Sequence, residues 1–234
     1  MFMFRDTAPG MAYWLPRGWT MYSQLMKYSR ELQAKHDYNE ISAPLINNKK
    51  LWLISGHWAH YQNNMFVIPG KNGTEYTIDE SAADVYAAKP MNCPNAMMTY
   101  KRTVHSYKEL PIRYNELDVV HRKEKSGQLN GLFRVQAFRQ DDCHTFVMES
   151  QIESEIADIM NIADQIYATF GITYRCELST RPDDFMGDIE VWNRAEAALK
   201  RILDNKYGEG NYEINEGDGA FYGPKIDFQI KDAL

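Results

Sequence analysis

The stretch Arg134-Val135-Gln136-Ala137-Phe138-Arg139-Gln140-Asp141-Asp142-Cys143-His144 constrains the fold more than any other. Read as a β-strand, it sends Arg134, Phe138, Gln140, Asp142 and His144 to one face, because successive side chains alternate. That face carries a cation, a ring, an amide, a carboxylate and an imidazole, where a strand that only packs a core would carry Val, Ile or Leu. An upstream run from Ile112 to Glu124 supplies the partner strand, with Arg122 and Glu124 on one of its faces. The loop between them, Lys125 to Gly131, is polar and holds Gly127 and Gly131. The pattern predicts a long hairpin with a charged mouth suited to a small, polar, charged ligand.

The rest of the chain predicts helices and strands in irregular order. Trp19 to His36 has helical apolar spacing, and Tyr38 to Leu45 reads as a strand that Pro44 bends or ends. A short helix is expected over Asn48 to Ile54, and a hairpin joins Met65–Pro69 to Glu75–Ile78 around Gly70 to Thr74. A helix is expected from Met97 to Tyr107, after the loop Lys89-Pro90-Met91-Asn92-Cys93-Pro94. The clearest helix runs from Glu149 to Phe170, with Ile152, Ile156, Ile159, Met160, Ala163 and Ile166 as its stripe and Gly171 as its stop. A strand from Ile172 to Leu178, a helix from Asp188 to Asn205 and strands at Asn211–Asn215 and Lys225–Lys231 follow. Strand runs with helices to one side predict an α+β fold with an antiparallel sheet. No composition shift marks a boundary, so residues 1–234 are expected to form one domain.

Composition narrows the function. A net charge of −6 argues against a dedicated non-specific nucleic-acid binder. No apolar run approaches the roughly 18 residues of a membrane span, and the first residues lack the pattern of a signal peptide. Cys93, Cys143 and Cys176 are an odd number and widely spaced, which fits a reduced, cytoplasmic compartment better than a disulfide framework. Cys93 and His144 are metal-ligating residue types, but they lie too far apart for any local spacing rule to pair them. Cys143 faces away from His144 on a strand and reads as structural. The glycine-rich turn Gly217 to Lys225 lets a backbone approach a ligand closely, and it is equally compatible with a plain hairpin turn. Trp14, Trp19, Trp52 and Trp58 crowd the first quarter, as core or as an interface between subunits.

At this level of detail the sequence resembles class II aminoacyl-tRNA synthetases. The hairpin resembles their motif 2, and the helix from Trp19 with the strand ending at Pro44 resembles motif 1. The segments Lys89 to Pro94, Gln140 to His144, Leu178-Ser179-Thr180-Arg181-Pro182 and Gly219 to Lys225 are similar to those of the threonyl-tRNA synthetases, as are Ala8 to Met11 and Gly18 to Thr20. The resemblance implies ATP-dependent activation of threonine to threonyl-adenylate, transfer to tRNA(Thr), and a homodimer formed through motif 1. It implies that Arg122 bridges the α-phosphate and the threonine carboxylate, with Lys225 assisting. Glu124 would contact adenine, Phe138 would stack on it, and Arg134 would meet the ATP phosphates. Met91, Gln140, Asp142 and Tyr222 would surround threonine. Cys93 and His144 would hold Zn2+, with a third protein ligand and motif 3 expected downstream of Leu234, and Mg2+ would accompany ATP. Gln136-Ala137 stands where the resemblance expects Arg-Gly, and Asn95-Ala96 where it expects Gly-His, which removes a cation from the motif 2 strand. Two other readings stay open: a fold-retaining binding or regulatory protein without catalysis, and a synthetase-like adenylation site for another amino acid.

Overall fold

The computed structural model describes residues 1–79, 82, 84–125 and 127–231. The chain divides into two compact units, Met1–Phe146 and Val147–Leu234. Each is α+β.

In the first unit the predicted hairpin is present but interrupted. Ile112–Glu116 pairs antiparallel with Asp142–Phe146, and Val119–His121 pairs antiparallel with Ala137–Arg139. Asp142 faces Glu116 and Arg139 faces Val119, so the register is carried unchanged across the two unpaired residues on each strand. The strands also stop earlier at the mouth than the alternation predicts: Arg122, Glu124 and Arg134 lie outside them. The reason is a competing partner. The Arg122 N–H still donates to Gln136 O, but the Gln136 N–H donates to Gly10 O at 2.6 Å, so the ladder cannot continue.

Asn39–Glu40 joins the same sheet parallel to Tyr114 and Asn115. The strand expected over Tyr38 to Leu45 is therefore only two residues long. Beyond it, the Ala43 N–H is taken by the Asp118 carboxylate at 2.9 Å instead of a neighbouring strand, and Pro44 has no N–H to give. A second sheet orders Ile46–Asn48, Tyr86–Ala88 and Val67–Ile68 around a core of Trp52, Met65 and Ala87. The hairpin expected from 65 to 78 is tighter than predicted, Gly70–Asn72 with Glu75–Thr77, because Val67 and Ile68 pair with Ala87 and Tyr86.

The motif 1 helix covers Pro16–Lys35, begun by Pro16, whose fixed φ suits a first turn. Gly18 is required there: a Cβ would meet the Met1 carbonyl oxygen at 2.0 Å. The helix expected from Met97 to Tyr107 instead spans Cys93–Tyr100. Pro94 sits at its start, where proline is tolerated, so it opens the helix that sequence reading placed after it. Of the four clustered tryptophans, Trp52 is fully buried, Trp14 stacks on Tyr22 at 4.7 Å, Lys49 lies over Trp58 at 4.7 Å, and Trp19 is exposed.

The second unit orders Glu213–Asn215, Tyr174–Ser179 and Lys225–Ile230 in one sheet, the first pair parallel and the second antiparallel. Its helices are Ile152–Thr169, preceded by a single 3-10 turn from Glu149, and Ile189–Tyr207. Asp188 accepts from the Glu190 N–H at 2.7 Å and so caps the second helix rather than entering it. Met160, Cys176, Leu178, Leu199, Ile202 and Leu203 form the core. Within the predicted stripe Ile159 is 38% exposed, while Ile162, outside it, is buried. The helix turns a face centred on Met160 inward. Among the described residues, no helix is long and apolar enough to cross a membrane.

Candidate functional site

Ending the ladder at His121 and Ala137 frees the mouth of the hairpin to form a hollow of about 400 Å³, lined by Arg122, Glu124, Leu132, Phe133, Arg134, Val135 and Phe138. The Arg122 guanidinium lies 5.1 Å from the Phe138 ring centroid, within cation–π range. Its Nε donates to the Pro90 carbonyl at 3.1 Å. Among the described residues nothing else is hydrogen-bonded to the guanidinium, whose outer N–H groups can meet an anion. Arg134 donates to the Glu124 carboxylate from Nε at 3.1 Å and from its terminal nitrogen at 2.9 Å. All four residues that sequence reading assigned to ATP therefore line one hollow.

Asp142, Cys93 and His144 form a second group in the same unit. Asn92 donates to Asp142 Oδ2 at 3.0 Å, and His144 Nε2 lies 3.9 Å from Asp142 Oδ1. Burial pushes the Cys93 thiol up to about 12, with the Asp142 charge adding to the rise, and burial holds the His144 imidazole below its ordinary value. Both groups are thus neutral side chains in a shielded place. His144 Nδ1 is buried without a hydrogen-bond partner, which is unusual for a buried ring nitrogen and fits a group that would occupy it. Among the described residues no set of three His, Cys, Asp or Glu is placed to hold a metal. Met91 Sδ sits 3.3 Å from the buried His57 Nε2. Gln140 is half-buried in the unpaired step of the hairpin.

Tyr222 and Lys225 belong to the second unit. Tyr222 is exposed, and the Lys225 ammonium donates to Asp227 at 2.7 Å and Asp218 at 3.2 Å. Ser179 donates to the same Asp227 at 2.5 Å.

Sequence reading missed a buried charge cluster beside the hollow. Lys89 Nζ, fully buried, lies 2.5 Å from Glu116 Oε1 and 3.2 Å from Asp118 Oδ2, and donates to the Ala43 carbonyl at 3.4 Å. Ser42 also donates to Asp118, at 2.9 Å. The Lys89 carbonyl accepts from the His121 N–H at 2.9 Å, next to Arg122. The cluster thus joins the motif 1 segment, the Met91–Cys93 loop and the hairpin. Lys89 and Glu116 lie 27 residues apart, so no local pattern announces the pair.

These features define a class II aminoacyl-tRNA synthetase core. The model of the tRNA synthetase class II core domain (G, H, P, S and T) matches residues 76–233, and the chain belongs to that family. Within it, the chain is similar over its full length to threonine–tRNA ligases. It is 50% identical to threonine–tRNA ligase 2 of Bacillus subtilis (strain 168), covering 100% of this chain and 35% of that protein. It is 50% identical to threonine–tRNA ligase of Thermotoga neapolitana, covering 98% of this chain and 34% of that protein. The chain thus spans about a third of the length of the curated relatives it matches. The crystal structure of the RNA binding domain of threonyl-tRNA synthetase from Cryptosporidium parvum Iowa II superposes with a TM-score of 0.90 at 39% identity, covering 100% of this chain and 56% of that one. A Giardia lamblia prolyl-tRNA synthetase in complex with prolyl-adenylate shares the fold, with a TM-score of 0.61 at 20% identity over 72% of this chain and 33% of that one.

Proposed function

We propose that residues 1–234 form part of the catalytic core of a threonine–tRNA ligase, holding ATP with Mg2+ and threonine for adenylate formation. The observation that carries this reading is the hollow in which Arg122 lies over Phe138 with Glu124 and Arg134 at its wall. A purine would lie against Phe138, and the outer edge of Arg122 would meet the α-phosphate. In the reaction, a threonine carboxylate oxygen attacks the α-phosphorus, the bond to the bridging oxygen breaks, and pyrophosphate leaves. Arg122 would stabilise the charge that grows on the phosphoryl oxygens. The adenylate would then pass threonine to the terminal adenosine of tRNA(Thr), releasing AMP.

Cys93 and His144 would hold the zinc ion, which would supply an anchor for the threonine amino and hydroxyl groups. Asp142 would accept from the threonine hydroxyl, Asn92 fixing its second oxygen. Met91 and Gln140 would line the amino-acid pocket. A pocket built to bind a hydroxyl rejects valine far better than an apolar one can, because valine leaves the polar groups unpaired. Dimerisation through motif 1 is supported by apolar side chains exposed along that region, among them Trp19, Met21, Leu25, Leu45 and Ile46. A cytoplasmic location accords with the proposed role in translation.

The test places this chain in the Bacillus subtilis relative, replacing the third of that protein it matches. The chimera is expected to exchange pyrophosphate into ATP with threonine and not with valine. Exchange without threonine, or none, would sink the proposal. In the same chimera, Cys93→Ser is expected to lower bound zinc, measured by elemental analysis of the purified protein, since a serine hydroxyl is a poor zinc ligand. Unchanged zinc content would refute the ligand assignment.

A further inference from the structure

We propose that Gln136 is a positioning residue for the nucleotide hollow, tying the N-terminal turn at Pro9-Gly10 to the backbone of Glu124. The inference rests on reading that hollow as the ATP site. Gln136 stands where the resemblance expects arginine, yet its side chain is no free replacement for a cation. It is 8% exposed and its amide is bonded at both ends. Nε2 donates to the Pro9 carbonyl at 2.7 Å, and Oε1 accepts from the Glu124 N–H at 3.2 Å. Its backbone N–H donates to Gly10 O at 2.6 Å and its carbonyl accepts from the Arg122 N–H at 2.9 Å. One residue thus links a segment 127 positions away to both Arg122 and Glu124.

The chemistry selects an amide. The position needs a donor for one carbonyl and an acceptor for one N–H, and a neutral amide side chain supplies both. Arginine could serve Pro9 and not the Glu124 N–H, while a carboxylate could serve Glu124 and not Pro9. Gly10 is the matching half of the joint. Its φ is +68°, and a Cβ there would come 2.8 Å from Leu129 Cδ2 and 3.0 Å from Gln136 Cγ. Glu124 lies past the last strand residue, His121, so no sheet ladder fixes its backbone. The bond from Gln136 takes that part, and it sets where the Glu124 carboxylate and its Arg134 partner stand in the hollow.

The experiment measures Mg-ATP binding to the chain by calorimetry, with thermal unfolding alongside. Gln136→Met keeps the length of the side chain and removes both bonds, and is expected to weaken ATP roughly tenfold, the size of one lost buried hydrogen bond. Because the effect runs through Glu124, the same substitution in a Glu124→Ala background is expected to add little further loss. Should Gln136→Met not fold, Gly10→Ala strains the joint from its other side and is expected to weaken ATP as well. Full ATP affinity in these variants, even with a lowered melting temperature, would make Gln136 structural only and overturn the proposal. Fully additive losses with Glu124→Ala would overturn it too. An unchanged chain that takes up no Mg-ATP would instead overturn the reading of the hollow, and the inference would fall with it.

Discussion

Lys89→Met is expected to destabilise the first unit by about 3–5 kcal/mol, the usual cost of removing one partner from a buried ion pair. Methionine fills the space of the aliphatic stem, so the loss is electrostatic rather than a cavity. Lys89 and Glu116 are both fully buried, and no water can replace the ammonium. Among the described residues Glu116 Oε2 lacks a hydrogen-bond partner, and Oε1 accepts from the Lys89 ammonium. Burial raises the Glu116 carboxyl to about 7 even with Lys89 in place. An acid whose folded value lies above its unfolded one stabilises the fold while protonated, and that contribution fades as pH rises from the unfolded value towards the folded one. Without Lys89 the folded value rises further, so the deficit of the variant is expected to be smaller at pH 5 than at pH 8. The Asp118 carboxyl, which burial pushes up, is held low on balance by the Ala43 N–H, Ser42 and Lys89, and the variant removes the last of these. Urea unfolding at both pH values measures the effect. A second substitution, Glu116→Gln, is expected to recover part of the loss at pH 8. A deficit that is small, or equal at the two pH values, would contradict this account.

The hairpin was legible because its information is local. Alternation along a strand and the polar content of one face are both written in neighbouring residues, and the register they imply carries through from Phe146 to Ala137. The residues around the hollow were legible through resemblance, motif by motif. What stayed hidden depends on partners remote in sequence. Lys89 is 27 residues from Glu116, and nothing near either one announces the pair. Gln136 looked like a lost cation because its partners at Pro9 and Gly10 cannot be inferred from the strand that carries it. The same remote contact explains why the strands end early: a backbone donor can serve only one acceptor well, and Gly10 captured the one the ladder needed. The misplaced start of the Cys93–Tyr100 helix is a local error of a different kind. The helix was expected to begin after Pro94, whereas Pro94 lies in its first turn. The consequence is functional, since Cys93 then sits at the start of a helix rather than in a loop.

Arg122→Lys, in the chimera with the Bacillus subtilis relative, is expected to lower threonine-dependent pyrophosphate exchange roughly 10²-fold to 10³-fold, the range seen when a preorganised charge-stabilising group is lost. The substitution preserves the charge, so the size of the loss depends on geometry. Arg122 Nε is held by the Pro90 carbonyl at 3.1 Å, and its Cζ lies 5.1 Å from the Phe138 ring centroid. These two contacts leave the far edge of the guanidinium presented in a fixed direction, with two parallel donors for two oxygens. A lysine ammonium is a point charge on a flexible stem, and it cannot both hold the Pro90 carbonyl and present a planar fork. The loss is expected mainly in the rate of adenylate formation, with ground-state affinity for threonine changed much less, because the oxygens served by the fork gain charge only as the α-phosphoryl group reacts. A lysine variant that exchanges pyrophosphate as fast as the unchanged chimera would show that charge alone suffices at this position, and that the tether to Pro90 and the cation–π contact with Phe138 serve the fold of the hairpin rather than the chemistry.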